Sequence, residues 1–199
     1  MEYPAGLSAN DKLSWVIGVV ARNETYLYMK TRELLAELNG QLGVMTESRD
    51  AHGYLLDECR RRINDFPEGE IRQGGRGTIK RAKKAVGRRN DLLHSVWTAH
   101  EEEGDDPTYS RWFSVFDEVP PPRQTFTNFG EVAVQLIHAA HSITGLIWML
   151  HAARLSEING SMPISDRWVK VNRRLMLGQF SMQPNGNFEF EPEAPSVRL

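Results

Sequence analysis

The chain has 199 residues, of which 40% are hydrophobic and 25% charged, with a formal net charge of -2. That length holds one domain, or a domain with a tail, and is enough for a core that needs no staples. The single cysteine, Cys59, excludes a disulfide framework and a cysteine-based zinc site.

The opening segment, MEYPAGLSANDK, lacks the basic region and apolar core of a signal peptide. No uninterrupted apolar run in the chain approaches the roughly 20 residues that span a bilayer. The expectation is a cytoplasmic protein with no membrane partner. The first helix is expected from about Asp11 to Leu38, with an apolar face of Leu13, Val16, Ile17, Val20, Leu27, Leu34, Leu35 and Leu38 and a stop at Gly40. Glu24 follows Val20 by four and Ile17 by seven, so a carboxylate continues that face. It either meets a cation on another helix or turns at the stripe's edge toward Arg22, Lys30 or solvent.

A second helix reads from about Thr46 to Phe66, with Tyr54, Leu55, Leu56, Cys59 and Ile63, and Pro67 ends it. A GGRG turn at residues 74 to 77 then precedes a third helix, about Thr78 to His100, whose apolar stripe is Ile79, Ala82, Val86, Leu93 and Trp97. Counting on from Val86 by three or four lands on Arg89 and Asn90, and His94 follows Asn90 by four. Polar groups thus sit on or beside a packing face, where burial is costly unless each is paired. From Arg72 to Arg89 there are eight Lys or Arg and no acid, and EEEGDD follows at residues 101 to 106. Such a block is either a solvated face or a source of positive potential for a phosphate ligand.

Residues 104 to 127 read as a long irregular connection in which RWFSVF forms a short strand or packs down as a flap. The fourth helix is the most apolar. It is expected to start on a capping box of Asn128 and Glu131, to run to about Glu157, and to be the central helix of the bundle. DRWVKVNRRL is then a short helix or strand, and QPNGNFEFEPEAPSVRL an extended arm. His52 and His100 read as surface or helix-end residues, and Trp15 and Trp148 as core. His138 and His141 are three apart with His151 further down, but no carboxylate accompanies them at ligand spacing, so no metal site and no cofactor are assigned. The fold class is all-α: an antiparallel four-helix bundle, up to five helices, with an extended C-terminal arm.

RNDLLH, Arg89 to His94, resembles the Arg-Asn-x-x-x-His signature of the HEPN superfamily, all-α domains that often act as metal-independent ribonucleases and recur in toxin and antiviral defence systems. Trp97, three residues after the histidine, is similar to that setting as well. The resemblance covers the helical core, and it implies a HEPN-like domain over residues 1–160 with a C-terminal extension over 161–199. It makes Arg89 and His94 the functional pair and Asn90 their support; Asp91 and Trp97 in the same segment, and Glu24 from the count along the first helix, are taken as further supporting residues. It implies RNA as substrate, cut to 2′,3′-cyclic phosphate and 5′-hydroxyl ends, a homodimer whose two-fold axis joins two motif histidines in one cleft, and an antitoxin or another defence protein as partner.

The side-chain chemistry agrees with that implication. Histidine exchanges protons near neutral pH, and the planar arginine fork donates paired hydrogen bonds to a phosphate. Lys80, Lys83, Lys84 and Arg88 are the expected RNA-binding cations. Gly87 suits a close helix approach or is a harmless irregularity. Five residues rotate a helix by roughly 140°, so Arg89 must bend back, or the helix distort, for it to share a site with His94. The alternative is a satisfied interior histidine with Arg89 as a structural ion-pair partner. The protein would then be a non-catalytic helical binding module, either a silenced relative or a toxin–antitoxin partner.

Overall fold

The computed structural model describes residues 6–40, 51–95, 97–100, 107–111, 123–159, 165–182 and 188–190. It is mostly helical: α1 (Ala9–Leu38), α2 (His52–Asn64), α3 (Glu70–Leu93), α4 (Phe126–Asn159) and α5 (Asp166–Leu177). The strands are short, with β1 (Trp97–His100), β2 (Thr108–Arg111) and β3 (Gln124–Thr125) forming one antiparallel sheet. β4 (Phe180–Met182) and β5 (Phe188–Phe190) form a second. The all-α fold class expected from the periodicity is therefore what the chain adopts.

α4 is the hub, packing against α1, α3 and α5. Its Ala133, Leu136, Ala140, Ile143 and Leu146 are fully buried, as its near-uniform apolarity requires. It is also the one described helix long and apolar enough to cross a membrane, Phe126–Leu155, although 56% of its most apolar window is buried inside the bundle. α1 runs alongside α4 in the same sense: Trp15 meets Phe126, Asn23 Nδ2 donates to the Ala133 carbonyl at 3.0 Å, and Arg154 Nη1 pairs with Glu37 at 3.0 Å. α3 is antiparallel to α2, since Arg76 reaches Asn64 and Lys83 reaches Asp57. α5 is antiparallel to α4, with Trp168 against Trp148 and Leu175 against Gly145.

Several boundaries differ from the sequence reading, each for a packing reason. The GGRG segment is not a turn but the second turn of α3. Gly74 and Gly75 lie there because a Cβ would come within 2.5 Å of Met176 and 3.0 Å of Ile63, so these glycines let α3 approach α5 and α2 closely. α3 also stops at Leu93 instead of continuing to His100. Trp97 leaves the helix, packs on Phe129 at 4.8 Å between ring centroids, and returns its indole N–H to the Leu92 carbonyl at 3.0 Å. Trp97–His100 then pair as a strand with Thr108–Arg111, Trp97 opposite Arg111.

α4 starts earlier than its expected cap. Thr125 Oγ1 accepts from the Asn128 N–H at 3.2 Å, so Asn128 takes the third helical position and Thr125 caps. DRWVKVNRRL resolves to helix α5, capped by Ser165 and ended by Gly178 in the left-handed region at φ 73°. The alternating Phe–Glu segment enters a hairpin with β4, Phe180 opposite Phe190. Trp148 is 45% exposed rather than core. The start of the expected second helix, residues 112–122 of the flap and the last nine residues lie outside the described ones.

Candidate functional site

The end of α3 carries the motif, and α1 and the start of α2 enclose it. An open cleft of about 540 Å³ is lined by Glu24, Tyr28, His52, Arg89, Asn90 and His94, among others. Arg89 leans toward α1, where its Nη2 meets Glu24 Oε1 at 3.0 Å, while its Nη1 donates to Asn90 Oδ1 at 2.6 Å. This is the cation opposite the carboxylate on the first helix's apolar face. The pair is largely shielded, with side-chain exposures of 21% and 13%, so each partner offsets much of the other's desolvation. Arg89 Nε is buried and has no hydrogen-bond partner among the described residues.

His94 sits one residue past the helix as its C-cap, with φ -94° and ψ 10°, and its side chain is exposed. The five-residue step from Arg89 needs no distortion of α3, because the long arginine reaches across to α1 while the imidazole stands at the helix end on the rim of the same cleft. Asn90 is exposed between them.

The sequence reading missed His52. It is not a surface residue: it is 8% exposed and opens the α2 stripe that continues through Leu55, Leu56, Cys59 and Ile63. Its Nδ1 lies 3.2 Å from Glu24 Oε1 and its Nε2 3.0 Å from Thr31 Oγ1. Thr31, Glu24, Arg89 and Asn90 are thereby joined to His52 in one hydrogen-bonded relay under the cleft. Burial lowers the His52 pKa, the Glu24 hydrogen bond and charge oppose that shift, and the Arg89 charge adds to it. Burial thus favours the neutral ring, and the contact with the Glu24 carboxylate favours the hydrogen on Nδ1. The readable signal was its position on the α2 stripe, seven and eleven residues before Cys59 and Ile63.

The other expected residues divide between surroundings. Asp91, Arg88 and Trp97 do not line this cleft; they line a smaller cavity of about 310 Å³ toward α4, with Arg111, Asn128 and Phe129. Arg88 meets Glu131 there at 3.4 Å. Lys80 and Lys83 line a furrow between α2 and α3 with Arg60, Asn64 and Arg76, whereas exposed Lys84 lines neither cavity. Gly87 is exposed, and a Cβ there would meet nothing within 4 Å among the described residues.

Cys59 lies beneath the relay, its thiol pushed up to about 12 mainly by burial, which makes it a packing residue and not a nucleophile. His138 stacks on Phe180 at 4.0 Å and meets its carbonyl at 3.0 Å. Among the described residues no group of three or more His, Cys, Asp or Glu is placed to hold a metal ion. Comparison of the chain with family models, with curated proteins and with solved structures finds no match in any of the three.

Proposed function

We propose that the chain is a metal-independent endoribonuclease of the HEPN type that cuts RNA to 2′,3′-cyclic phosphate and 5′-hydroxyl ends. The observation that carries this reading is the cleft in which Arg89, Asn90 and His94 converge above the Glu24 carboxylate. Exposed His94 is the group for proton exchange with the 2′-hydroxyl or the leaving 5′-oxygen. The Arg89 guanidinium, pre-set by Glu24 and Asn90, supplies charge to the phosphorus centre as the 2′-oxygen attacks it. Acid–base cleavage wants two proton-exchanging groups. Both ring nitrogens of His52 face protein partners, so the second group belongs to the His94 of a two-fold copy, and the reading includes a homodimer. A toxin or antiviral defence setting, an antitoxin or other defence protein as partner, and a cytoplasmic location belong to the same proposal.

The test is cleavage of single-stranded RNA by the purified chain in EDTA. Cleavage is expected, and His94→Ala should abolish it with the helical circular dichroism signal unchanged. Arg89→Lys should be severely impaired, because a point charge does not reproduce the fork. Activity that requires an added divalent metal, or that survives in His94→Ala, overturns the mechanism. A composite cleft further predicts that exchanging His94→Ala subunits into wild type lowers activity beyond dilution.

A second reading, a non-catalytic helical binding module, is favoured by the engagement of Arg89 with Glu24 and Asn90, which suits a structural ion pair equally well. Absence of cleavage under all conditions, with the fold intact, selects it.

A further inference from the structure

We infer that the furrow between α2 and α3 is a phosphate track that leads a single RNA strand into the cleft. The track itself stands on the furrow's geometry, whereas the choice of RNA as the polyanion rests on the ribonuclease reading.

On α3, residues Arg76, Lys80, Lys83, Gly87, Asn90 and His94 are separated by alternating steps of four and three, which places all six on one stripe of the helix. His94 belongs to it as the residue that caps the helix. On α2, Gly53, Asp57, Arg60 and Asn64 follow the same alternation. The two helices are antiparallel, so the α2 stripe faces the α3 stripe from Arg76 to about Gly87, and Asn90 and His94 continue past the start of α2. Arg76 donates to Asn64 at 2.8 Å and Lys83 pairs with Asp57 at 2.5 Å. The far end of this seam is a furrow of about 560 Å³ lined by Arg60, Asn64, Arg76, Lys80 and Lys83. The near end is the cleft with Gly53, His52, Asn90 and His94. Exposed Gly87 leaves open space between them.

Two of the cations along this seam bridge the helices, Arg76 to Asn64 and Lys83 to Asp57, whereas Arg60 and Lys80 have no ion pair among the described residues. Four cations, Arg60, Arg76, Lys80 and Lys83, share one furrow, and Asp57 is the one carboxylate on the stripes that form it. Like charges brought together on neighbouring helices repel, and an anion laid between them relieves that repulsion. By contrast, Arg61 and Arg62 on the outer side of α2 are both held by Glu58. The cations on α3 recur at about 4.5–6 Å along the axis, and the stripe from Arg76 to His94 is about 27 Å long. A row of cations on α3, faced by Arg60 on α2, fits one phosphodiester backbone. A duplex instead presents two phosphate rows on either side of a wide groove.

The test is binding of a labelled 12-nucleotide single-stranded RNA, read by fluorescence anisotropy across a salt series, in a His94→Ala background that prevents turnover. The paired change Arg60→Glu, Lys80→Glu should weaken binding at least tenfold and lower the salt slope by about 1.4, two phosphate contacts at about 0.7 each. Lys84→Glu alters charge on the same helix but outside the furrow and should change affinity less than threefold. Asp57→Asn removes the opposing carboxylate and should tighten binding two- to threefold. Equal losses in the furrow and Lys84 variants, no loss in either, or a duplex of the same length binding as tightly as the strand would each overturn the track. Furrow-dependent binding by a protein whose parent cuts no RNA would sink the ribonuclease reading and leave the track standing. Cleavage with no furrow dependence would do the reverse.

Discussion

Two cavities open on opposite sides of the last turns of α3, and neighbouring residues in sequence feed different ones. Arg89, Asn90 and His94 turn toward α1 and α2, into a cleft underlain by a relay of close polar contacts from Thr31 to Asn90. Arg88, Asp91 and Trp97 turn toward α4, where the cation meets exposed Glu131 at 3.4 Å. Both sides hold an arginine, an acid and an aromatic ring. Only the first fixes its arginine from behind with a shielded carboxylate that is itself fixed by a buried histidine. A six-residue motif therefore says less than the helix face on which each of its members falls.

The largest expected effect is breaking the shielded pair. Glu24→Ala leaves Arg89 facing a half-buried void, and Arg89→Ala does the same to Glu24; each should cost about 3 kcal/mol, the low end for uncoupling a buried pair. The double variant should recover about 2 kcal/mol of that summed loss, read from urea midpoints in a double-mutant cycle. Additive losses would show that the 3.0 Å contact carries no energy. On the other side, the Arg88–Glu131 cycle should give well under 1 kcal/mol, as exposed pairs do.

The residues also show what was legible beforehand. Glu24 on the apolar face of one helix and Arg89 on the corresponding face of another could be matched by counting, because both obey the 3.6-residue period. His52 could have been counted in the same way, but its meaning depended on Thr31 and Glu24, seven apart on α1, and contacts between helices leave no mark in local periodicity. The end of α3 was misread for a different reason. Trp97 keeps helical spacing with Leu93 while in fact belonging to a strand, and its burial against Phe129 is decided by tertiary packing. GGRG was read as a turn because glycine punctuates loops; here it is the small-residue contact that helix packing requires.

A smaller effect separates the relay from an ordinary buried ion pair. His52 is faced by Glu24, Thr31 and Tyr28 from α1 and by Arg89 from α3. Its pKa is lowered, chiefly by burial. The native ring therefore holds fewer protons than the unfolded chain in mildly acid solution. Its contribution to stability is fully present above about 6.5, the ordinary histidine value, and is lost as pH falls through the lowered native value. His141, also lowered by burial, contributes in the same direction. His52→Gln should cost about 1–2 kcal/mol at pH 7 through the unpaired groups it leaves, and it should shrink, without abolishing, the stability difference between pH 7 and pH 5. An unchanged difference would mean that His52 does not titrate with unfolding.

The smallest effect is expected on the α4 side, and its smallness is what makes it informative. Asp91 lies next to Asn90 in the motif, so a reading by sequence position alone expects its loss to disturb cleavage. Its side chain is exposed and lines the cavity with Arg88 and Arg111, not the one with His94. Asp91→Ala should therefore change the cleavage rate of a single-stranded RNA less than threefold and stability by less than about 0.5 kcal/mol, the usual range for a surface substitution. A tenfold loss of cleavage at unchanged stability would mean that the α4-side cavity takes part in the reaction. The distinction between the two faces of α3 would then fail.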